Sequence, residues 1–223
     1  MSALILLCTL FSLAPSICMS AEWKNTKMEG SVSKLSNDPI PYWPTLFNIE
    51  FNETSIILFK RVSEGKWWYD AANQNEIIYR KDGRGDRYCG GMHPINPTPC
   101  IHLVTQGNRY LIFPELQDCC LCCTAAKGCG ILSPTWLDGA EYQGQEVKFG
   151  LQTNKWVKKG LQSNYYWATA SDFEVPVELD QWPNAYQTFH VDTFSTEGID
   201  PSLLEVPSYC KPKCPLTTIC TAL

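Results

Sequence analysis

The chain has 223 residues, of which 44% are hydrophobic and 18% are charged, and its formal net charge is −5. This composition excludes a disordered chain, because disordered chains are poor in apolar residues and rich in charge. The acidic balance without a long Lys/Arg run argues against nucleic acid or an anionic membrane as the main partner, since both are bound through clustered positive charge. The length suits one domain with at most a small appendage.

The first twenty residues predict a secretory signal peptide. Residues 1–20 carry no charged side chain, and the apolar run Ala3–Ala14 has the length of a signal-peptide core. Cys18 and Ser20 are small residues suitably placed for cleavage after Ser20. An uncleaved anchor or a buried strand is the alternative. We therefore expect a secreted, extracellular protein in which an irregular, proline-punctuated lead-in, residues 21–44, precedes the folded domain.

Ten of the 12 cysteines lie after the signal segment, and their even number predicts up to five disulfides in an oxidising compartment. Adjacent cysteines such as Cys119 and Cys120 are poorly placed to pair with one another. We expect their partners to be Cys89 and Cys100 on one side and the tail, residues 210–223, on the other. The predicted disulfide cysteines are Cys89, Cys100, Cys119, Cys120, Cys122, Cys123, Cys129, Cys210, Cys214 and Cys220.

A metal site is the alternative interpretation of the cysteine cluster. The run from Cys119 to Cys129 offers thiolates that zinc or copper would accept. Paired CxxC knuckles a dozen or more residues apart are absent, and secretory chemistry oxidises thiols before they collect metal. The same cluster contains CxxC spacings, but lacks the strand and long helix of a thioredoxin-like motif. We therefore predict disulfides, no metal and no cofactor.

Alternating apolar and polar residues predict a mostly β fold. Phe47, Ile49 and Phe51 alternate with polar residues, as in a half-buried strand, and a turn is expected at Asn52. A short helix is expected around Ser133–Leu137. The predicted strands are Leu46–Phe51, Ser55–Val62, Lys66–Asp70, Glu76–Arg80, Ile101–Thr105, Arg109–Phe113, Gln145–Leu151, Lys155–Lys158, Asn164–Thr169, Val175–Leu179 and Tyr186–Asp192. We expect residues 45–209 to form a mostly antiparallel sheet with few short helices and several disulfides, arranged as a sandwich, a closed barrel or a strongly curved half-barrel with a hydrophobic concave face.

Motifs of enzyme chemistry are scarce. The histidines His93, His102 and His190 are scattered, and no nucleophile elbow, zinc-protease pair or phosphate loop occurs. Arg84-Gly85-Asp86 matches an integrin-binding tripeptide, but a charged glycine-rich turn explains it better. Asp82 and Asp86 offer oxygen ligands of the kind that calcium prefers, but the sequence around them has no calcium-loop signature. We predict no enzyme activity and no catalytic residue.

Asn52 is the one acceptor for N-glycosylation, in the triplet Asn52-Glu53-Thr54. A second triplet at Asn96 is blocked by Pro97.

Aromatic residues are abundant, at 12% of the chain, and many alternate along predicted strands. Most must fill a core, but a single curved sheet cannot easily bury so many rings against itself. Some are expected to line a concave apolar pocket, the usual form of a small-molecule or lipid site. The predicted pocket residues are Phe47, Ile49, Phe51, Trp67, Tyr69, Ile77, Tyr79, Tyr110, Ile112, Val147, Phe149, Trp156, Tyr166 and, with them on the strand faces, Trp167.

Three segments resemble secreted ependymin-like proteins. They are the hairpin from Trp67-Trp68-Tyr69-Asp70 to Asp82-Gly83, the stretch Arg109–Pro114, and the closing Val206-Pro207-Ser208-Tyr209-Cys210. The resemblance implies a half-barrel similar to bacterial lipoprotein carriers of the LolA type, with a deep hydrophobic pocket for a lipid or other apolar ligand. It also implies calcium in some members and, often, a homodimer. The cluster Asp118–Cys123 is not part of the family pattern.

Two functions follow from these features. The first is a secreted, non-enzymatic protein that binds a hydrophobic small molecule or lipid in a half-barrel pocket. The second is a disulfide-braced extracellular structural or adhesion protein with a filled core. A secreted hydrolase is a third hypothesis, without visible catalytic residues.

Overall fold

A single open, antiparallel sheet dominates the computed structural model, which describes residues 38–56, 60–215 and 220. The predicted signal peptide, residues 1–20, and the lead-in up to residue 37 lie outside the described residues. The strands are β1 (Leu46–Ser55), β2 (Arg61–Asp70), β3 (Asn75–Arg80), β4 (Cys100–Thr105), β5 (Asn108–Phe113), β6 (Asp118–Thr124), β7 (Glu141–Lys148), β8 (Leu151–Lys158), β9 (Asn164–Thr169), β10 (Pro176–Gln181) and β11 (Ala185–Phe189). Their order is β6-β5-β4-β3-β2-β1-β11-β10-β9-β8-β7, which leaves β6 and β7 at the edges.

Helices contribute little to the described part of the chain. The α-helix there, α1, covers Cys89–Met92, and the 3₁₀ turns are Gly83–Gly85, Pro114–Leu116, Ala125–Lys127, Val191–Thr193 and Pro201–Leu204. The helix expected around Ser133–Leu137 is wrong: this segment forms hydrogen-bonded turns, with Trp136 N–H donating to Ser133 O and Ala140 N–H to Leu137 O. Within the described residues, no helix is both long and apolar enough to cross a membrane. The mostly β fold class is confirmed.

The first hairpin is longer than the sequence suggested. β1 runs through Asn52, which pairs with Glu64 on β2 and Thr188 on β11, so the expected turn at Asn52 and the strand Ser55–Val62 are wrong. Glu53 explains the error. Its side chain points inward, like the alternating apolar residues of β1, and forms an ion pair there with Arg80. A polar residue therefore does not end the strand. Glycosylation of Asn52 stays a prediction, now placed within a central strand.

Two further departures have local causes. The cysteine run forms strand β6, which its hydropathy pattern did not reveal. The predicted strand Gln145–Leu151 divides into β7 and β8, because Phe149 and Gly150 both have positive φ, 51° and 80°. Two such residues make the tight turn that matches the twist of an antiparallel hairpin.

The sheet is strongly curved. Strands β2 and β9 are four inter-strand steps apart, about 19 Å in a flat sheet. Trp67 on β2 and Tyr166 on β9 nevertheless both contact the Trp43 ring, at centroid distances of 5.5 and 5.7 Å. We call the surface that carries these residues the aromatic face, and the other surface the opposite face.

The aromatic face is packed with side chains rather than hollow along most of its length. The described end of the lead-in crosses it: Trp156 Nε1 donates to Pro39 O at 3.0 Å, and the Tyr166 hydroxyl donates to Tyr42 O at 3.1 Å. The buried cluster comprises Trp43, Phe47, Ile49, Phe51, Trp67, Tyr69, Ile78, Leu137, Trp156, Tyr166, Ala168, Leu179 and Phe189. Segment 38–44 is thus irregular in backbone and adds the buried Trp43 to the core, while Ile40 remains exposed.

Five disulfides join all ten predicted cysteines: Cys89–Cys100, Cys119–Cys210, Cys120–Cys214, Cys122–Cys220 and Cys123–Cys129. The expectation that the tail is pinned to the cluster is confirmed. The expectation that Cys89 and Cys100 also reach the cluster is wrong, because they lie close enough to bridge each other. The bridged sulfurs leave no thiolate in the described chain for the alternative metal site.

The pinned tail also covers one edge of the sheet. Lys211 N–H donates to Cys119 O at 2.8 Å, Leu121 N–H to Lys211 O at 3.0 Å and Cys214 N–H to Leu121 O at 3.1 Å. Unpaired edge strands attract other chains, so covering β6 protects it. Three disulfides make this cover covalent.

Gly65 gives a test of the packing. A Cβ at Gly65 would lie 2.4 Å from Phe51 Cζ and 2.5 Å from Tyr79 O, so Gly65→Ala should destabilise the fold by about 1–3 kcal/mol. Gly198→Ala is the matched control, since nothing lies within 4 Å of its Cβ position. Urea denaturation measures both. Equal stabilities of the two variants would contradict the packing.

The tail disulfides should act redundantly. They close similar sequence separations of 91, 94 and 98 residues, so any one of them restrains the tail almost as well as all three. When the three cysteine pairs are replaced by alanine one after another, the loss in free energy of unfolding should therefore be largest at the last pair, whichever pair that is. Guanidinium denaturation after each step measures this order, and three equal, additive losses would refute it.

Candidate functional site

A cavity of about 420 Å³ lies beside the aromatic core. Its apolar wall contains Trp67, Ile78, Leu132 and Leu179. The remaining lining residues are polar, charged or small: Glu53, Ser55, Arg80, Gly85, Asp86, Arg87, Tyr88, His102, Arg109, Gly128, Gln162, Gln181, Asn184, Ala185 and Gln187. The volume is within the range of small-molecule sites, and the lining mixes four apolar side chains with a larger number of polar and charged ones.

Arg80 is a buried charged residue of the lining. Its side chain is only 5% exposed. Its Nε donates to Glu53 Oε2, its Nη2 donates to Glu53 Oε1 at 3.2 Å, and Nη2 lies 3.7 Å from Asp86 Oδ2. Alternation on β1 and β3 points Glu53 and Arg80 to the same face, so the sheet itself forms this ion pair. Two carboxylates fix the position of one guanidinium.

Asp86 connects this pair to His102 on β4. His102 Nε2 lies 3.0 Å from Asp86 Oδ1, which also accepts the backbone N–H groups of Tyr88 and Cys89 at 2.9 and 2.8 Å. The carboxyl group of the Arg84-Gly85-Asp86 tripeptide is thus turned inward, and Arg84 pairs with Asp82 at 2.6 Å. The tripeptide cannot present both charges to an integrin, and neither carboxylate is free for calcium.

Burial and neighbouring charges set the protonation of this pair. Burial would raise the pKa of Asp86, but the attraction of His102 and Arg80 and the hydrogen bonds lower it far below its usual range. Burial lowers the pKa of His102, although Asp86 partly opposes this. We therefore describe Asp86 as ionised and His102 as a neutral imidazole that donates from Nε2 at neutral pH.

A second buried pair holds the segment that contributes Leu132 to the cavity lining. Arg109 Nη2 donates to Gly130 O at 2.7 Å and lies 3.5 Å from Glu76 Oε2. Glu76 Oε1 accepts Trp67 Nε1–H at 3.2 Å and Leu132 N–H at 3.4 Å. Burial raises the pKa of Glu76, and Arg109 only partly opposes the shift. Glu76 and Arg109 thereby attach residues 130–132 to the sheet.

Two arginines that line the cavity each carry one buried nitrogen without a partner. Among the buried side-chain nitrogen and oxygen atoms of the described residues, six have no hydrogen-bond partner, and Arg80 Nη1 and Arg109 Nε are two of them. Both residues line the cavity, whereas the other four atoms belong to residues outside its lining. Both nitrogens have almost no accessible surface, so they are buried within the protein and are not shown to face the cavity.

The structure separates the predicted pocket residues into two sets. Seven lie in the buried aromatic cluster: Phe47, Ile49, Phe51, Trp67, Tyr69, Trp156 and Tyr166. Of these, Trp67 alone also lines the cavity. Ligand contact by the seven stays a prediction.

The other six do not share that surface. Ile77 and Ile112 are buried on the opposite face, where Tyr110 packs on them and Tyr79 lies beside Ile101. Val147 and Phe149 are 69% and 62% exposed. The expected single concave surface is corrected accordingly, because neighbouring residues of a strand point to opposite faces: on β3, Ile78 faces the aromatic cluster and Ile77 does not. Trp167 also lies off the aromatic face, beneath Lys148.

Sequence reasoning missed the charged lining residues. Glu53, Arg80, His102 and Arg109 occupy inward positions of strands, where side chains are normally apolar. Glu53 continues the alternation by which Phe47 and Phe51 point inward. A charged residue at such an alternating position is the sequence signal that could have identified it as a lining residue. No comparable signal marks Asp86, which a turn brings into place.

Comparisons with known proteins leave the family open. A family model described as a domain of unknown function, DUF8395, matches residues 101–210. No curated protein matches the chain. The resemblance to ependymin-like proteins is therefore not confirmed by these comparisons.

Solved structures with a similar strand arrangement have low identity. An uncharacterized conserved protein from Thermus thermophilus is 8% identical with a TM-score of 0.49, over 76% of this chain and 91% of that one. MucB in complex with MucA(peri) is 10% identical with a TM-score of 0.38, over 76% of this chain and 57% of that one. A LolA superfamily protein from Nitrosomonas europaea is 6% identical with a TM-score of 0.34, over 74% and 92%. We draw no functional conclusion from these likenesses.

Asp86 predicts a pH dependence of stability. Its pKa is lower in the folded than in the unfolded chain, so its contribution is present above the unfolded value and is lost as the pH falls through the folded value. Asp86→Asn should lower the free energy of unfolding by about 3 kcal/mol at pH 7, because it leaves Arg80 and His102 less well paired. The loss should be smaller at pH 3. Denaturation at both pH values measures the difference.

Asp82→Asn is the control for this prediction. Asp82 also accepts hydrogen bonds from an arginine, but its ion pair is partly exposed and should be worth about 1 kcal/mol or less. Two results would contradict this account of the network: a loss of stability in Asp86→Asn as small as that in Asp82→Asn, or a loss in Asp86→Asn that is larger at pH 3 than at pH 7.

Proposed function

We propose that this chain is a secreted, non-enzymatic protein that holds a hydrophobic or lipid-like ligand in the cavity beside its aromatic core. The cavity carries the proposal: it provides about 420 Å³ with an apolar wall of Trp67, Ile78, Leu132 and Leu179 next to polar groups. Small-molecule sites combine such a wall with a few placed polar groups. The site thus differs from the predicted pocket, with which it shares Trp67.

The absence of chemistry is part of the proposal. The ten described cysteines are all bridged, so none of them supplies a thiolate nucleophile. His102 is buried, its Nε2 is held by Asp86, and Asp86 is held in turn by Arg80. A base that is fully engaged in an ion network is poorly suited to take a proton from a substrate.

Secretion is supported by the same disulfides. Five bridges in one chain are typical of oxidising compartments such as the extracellular space or the periplasm.

A structural or adhesion protein is the second candidate, and one observation favours it. The aromatic face is filled over β1, β2, β8 and β9, where Trp43 packs between Trp67 and Tyr166. A filled core needs no ligand. The cavity distinguishes the two functions, because a purely structural role gives no reason for a polar-and-apolar hollow beside that core.

Filling the cavity tests the proposed function. Leu179→Trp places a larger side chain in the apolar wall and should abolish the thermal stabilisation that fatty acids or phospholipids give the unmodified protein. Leu203→Trp is the matched control: Leu203 is 46% exposed and lies outside the cavity lining. Native mass spectrometry should show the same pattern of bound lipid.

Two results would contradict the proposal. One is a delipidated protein whose melting temperature does not respond to any member of a fatty-acid and phospholipid panel. The other is a Leu179→Trp variant that folds and binds as well as Leu203→Trp.

A further inference from the structure

Three segments lie together at one end of the sheet: the end of β1, the β8–β9 turn and the β10–β11 turn. Asn184 joins them, because its backbone O accepts Ile56 N–H at 2.9 Å and its Nδ2 donates to Gln162 Oε1 at 2.7 Å. The strand register agrees, since Ser55 at the end of β1 pairs with Ala185 at the start of β11. The three segments therefore form one connected surface.

Each segment exposes a large apolar side chain. Ile56 is 38% exposed, Trp182 is 60% exposed and Leu161 is fully exposed. We call these three side chains the apolar tips. Phe149, which is 62% exposed, borders the same surface hollow as Ile56 and Trp182. Single exposed apolar residues are common, but a group of them on adjoining segments is typical of a surface that contacts a protein or a membrane.

The apolar tips adjoin the cavity of the proposed function. Each tip is the immediate sequence neighbour of a cavity-lining residue, and these neighbours are Ser55, Gln162 and Gln181. Asn184, which joins the three segments, also lines the cavity. A partner that covers the tips therefore lies beside the cavity, where it is well placed to deliver or accept a ligand.

A lipid bilayer fits this position better than a protein does. A lipid-like ligand resides in bilayers rather than in water, because water disfavours exposed apolar surface. The indole of Trp182 combines an apolar ring with a polar N–H, and tryptophan is enriched at the interface between membrane and water. The surface beside the cavity thus has the chemistry of the phase that holds the ligand.

The charges near the tips favour a zwitterionic bilayer. The residues between β1 and β2, between β8 and β9 and between β10 and β11 include Lys60 and Lys159 but no Asp or Glu, in a chain of formal net charge −5. The nearest acidic residue in sequence, Asp180, is half-buried on β10. Lipid phosphates therefore meet little repulsion at the tips. Lys159 is already paired with Glu141 at 2.8 Å, and two lysines are too few to select an anionic surface.

We propose that the apolar tips dock on the surface of a zwitterionic phospholipid bilayer and so place the cavity beside the source of its ligand. This inference rests on the proposed function, because docking serves the exchange of a lipid-like molecule between the bilayer and the cavity. Three side chains bury far less apolar surface than a membrane-spanning segment, so the docking is reversible.

The docking is tested by co-flotation of the delipidated protein with phosphatidylcholine vesicles. Leu161→Ser and Trp182→Ser should each weaken vesicle binding about tenfold, because each removes the apolar surface of one large side chain. Phe173→Ser is the matched control. Phe173 is 52% exposed, but it lies between β9 and β10, at the other end of the sheet. This variant should bind vesicles as the unmodified protein does.

The response to a soluble ligand separates this inference from the proposed function. Both tip variants should keep the thermal stabilisation that dodecanoate gives, because neither residue lines the cavity. A protein that dodecanoate stabilises but that does not float with vesicles overturns the docking inference in favour of a protein partner, and leaves the proposed function intact. A protein that neither binds vesicles nor responds to dodecanoate counts against both.

Three other results would overturn the assignment of the tips. The first is an equal loss of vesicle binding in Phe173→Ser and in the tip variants. The second is binding only to vesicles that contain phosphatidylserine, abolished by salt, which indicates an electrostatic contact. The third is full vesicle binding by tip variants whose near-ultraviolet circular dichroism shows that they are folded. If Trp182→Ser does not fold, Leu161→Ser decides the test, since the Leu161 side chain is fully exposed.

Discussion

The ion network of Arg80 with Glu53 and Asp86 is the constraint on which the site depends. The pair of Arg80 with Glu53 joins β3 to β1, and the contact of Arg80 with Asp86 connects the turn before α1 to these two strands. Charges this deeply buried are tolerated only when they are paired, so the network requires that the three segments meet in one arrangement. That arrangement turns Asp86 inward and places all three charged residues in the cavity lining.

Curvature of the sheet brings distant strands to the same cavity. Arg109 on β5 and Leu179 on β10 line the same cavity although six inter-strand steps separate their strands. Aromatic packing around Trp43 maintains the bend on one side. The three tail disulfides act at the β6 edge of the sheet, which would be open without the tail. Four of the five bridges include a cysteine of β6, so they are concentrated at this edge.

The sequence predicted the composition of the fold better than its site. Period-two patterns located nearly all strands, and the even cysteine count predicted the disulfides. Two local features were not predictable from hydropathy: the turn at Phe149 and Gly150 depends on backbone angles, and β6 lies in a run of cysteines. The site was missed because Glu53, Arg80 and Arg109 are charged residues at inward positions. Hydropathy assigns such residues to the surface, and only the paired partner shows that they are buried.

The central proposal is that the cavity beside the aromatic core holds a hydrophobic or lipid-like ligand. A crystal structure of the protein with dodecanoate tests it most directly. The account predicts density for the dodecyl chain in the cavity, along Trp67 and Leu179. Dodecanoate bound elsewhere, or a cavity collapsed around a rearranged Arg80, would contradict it.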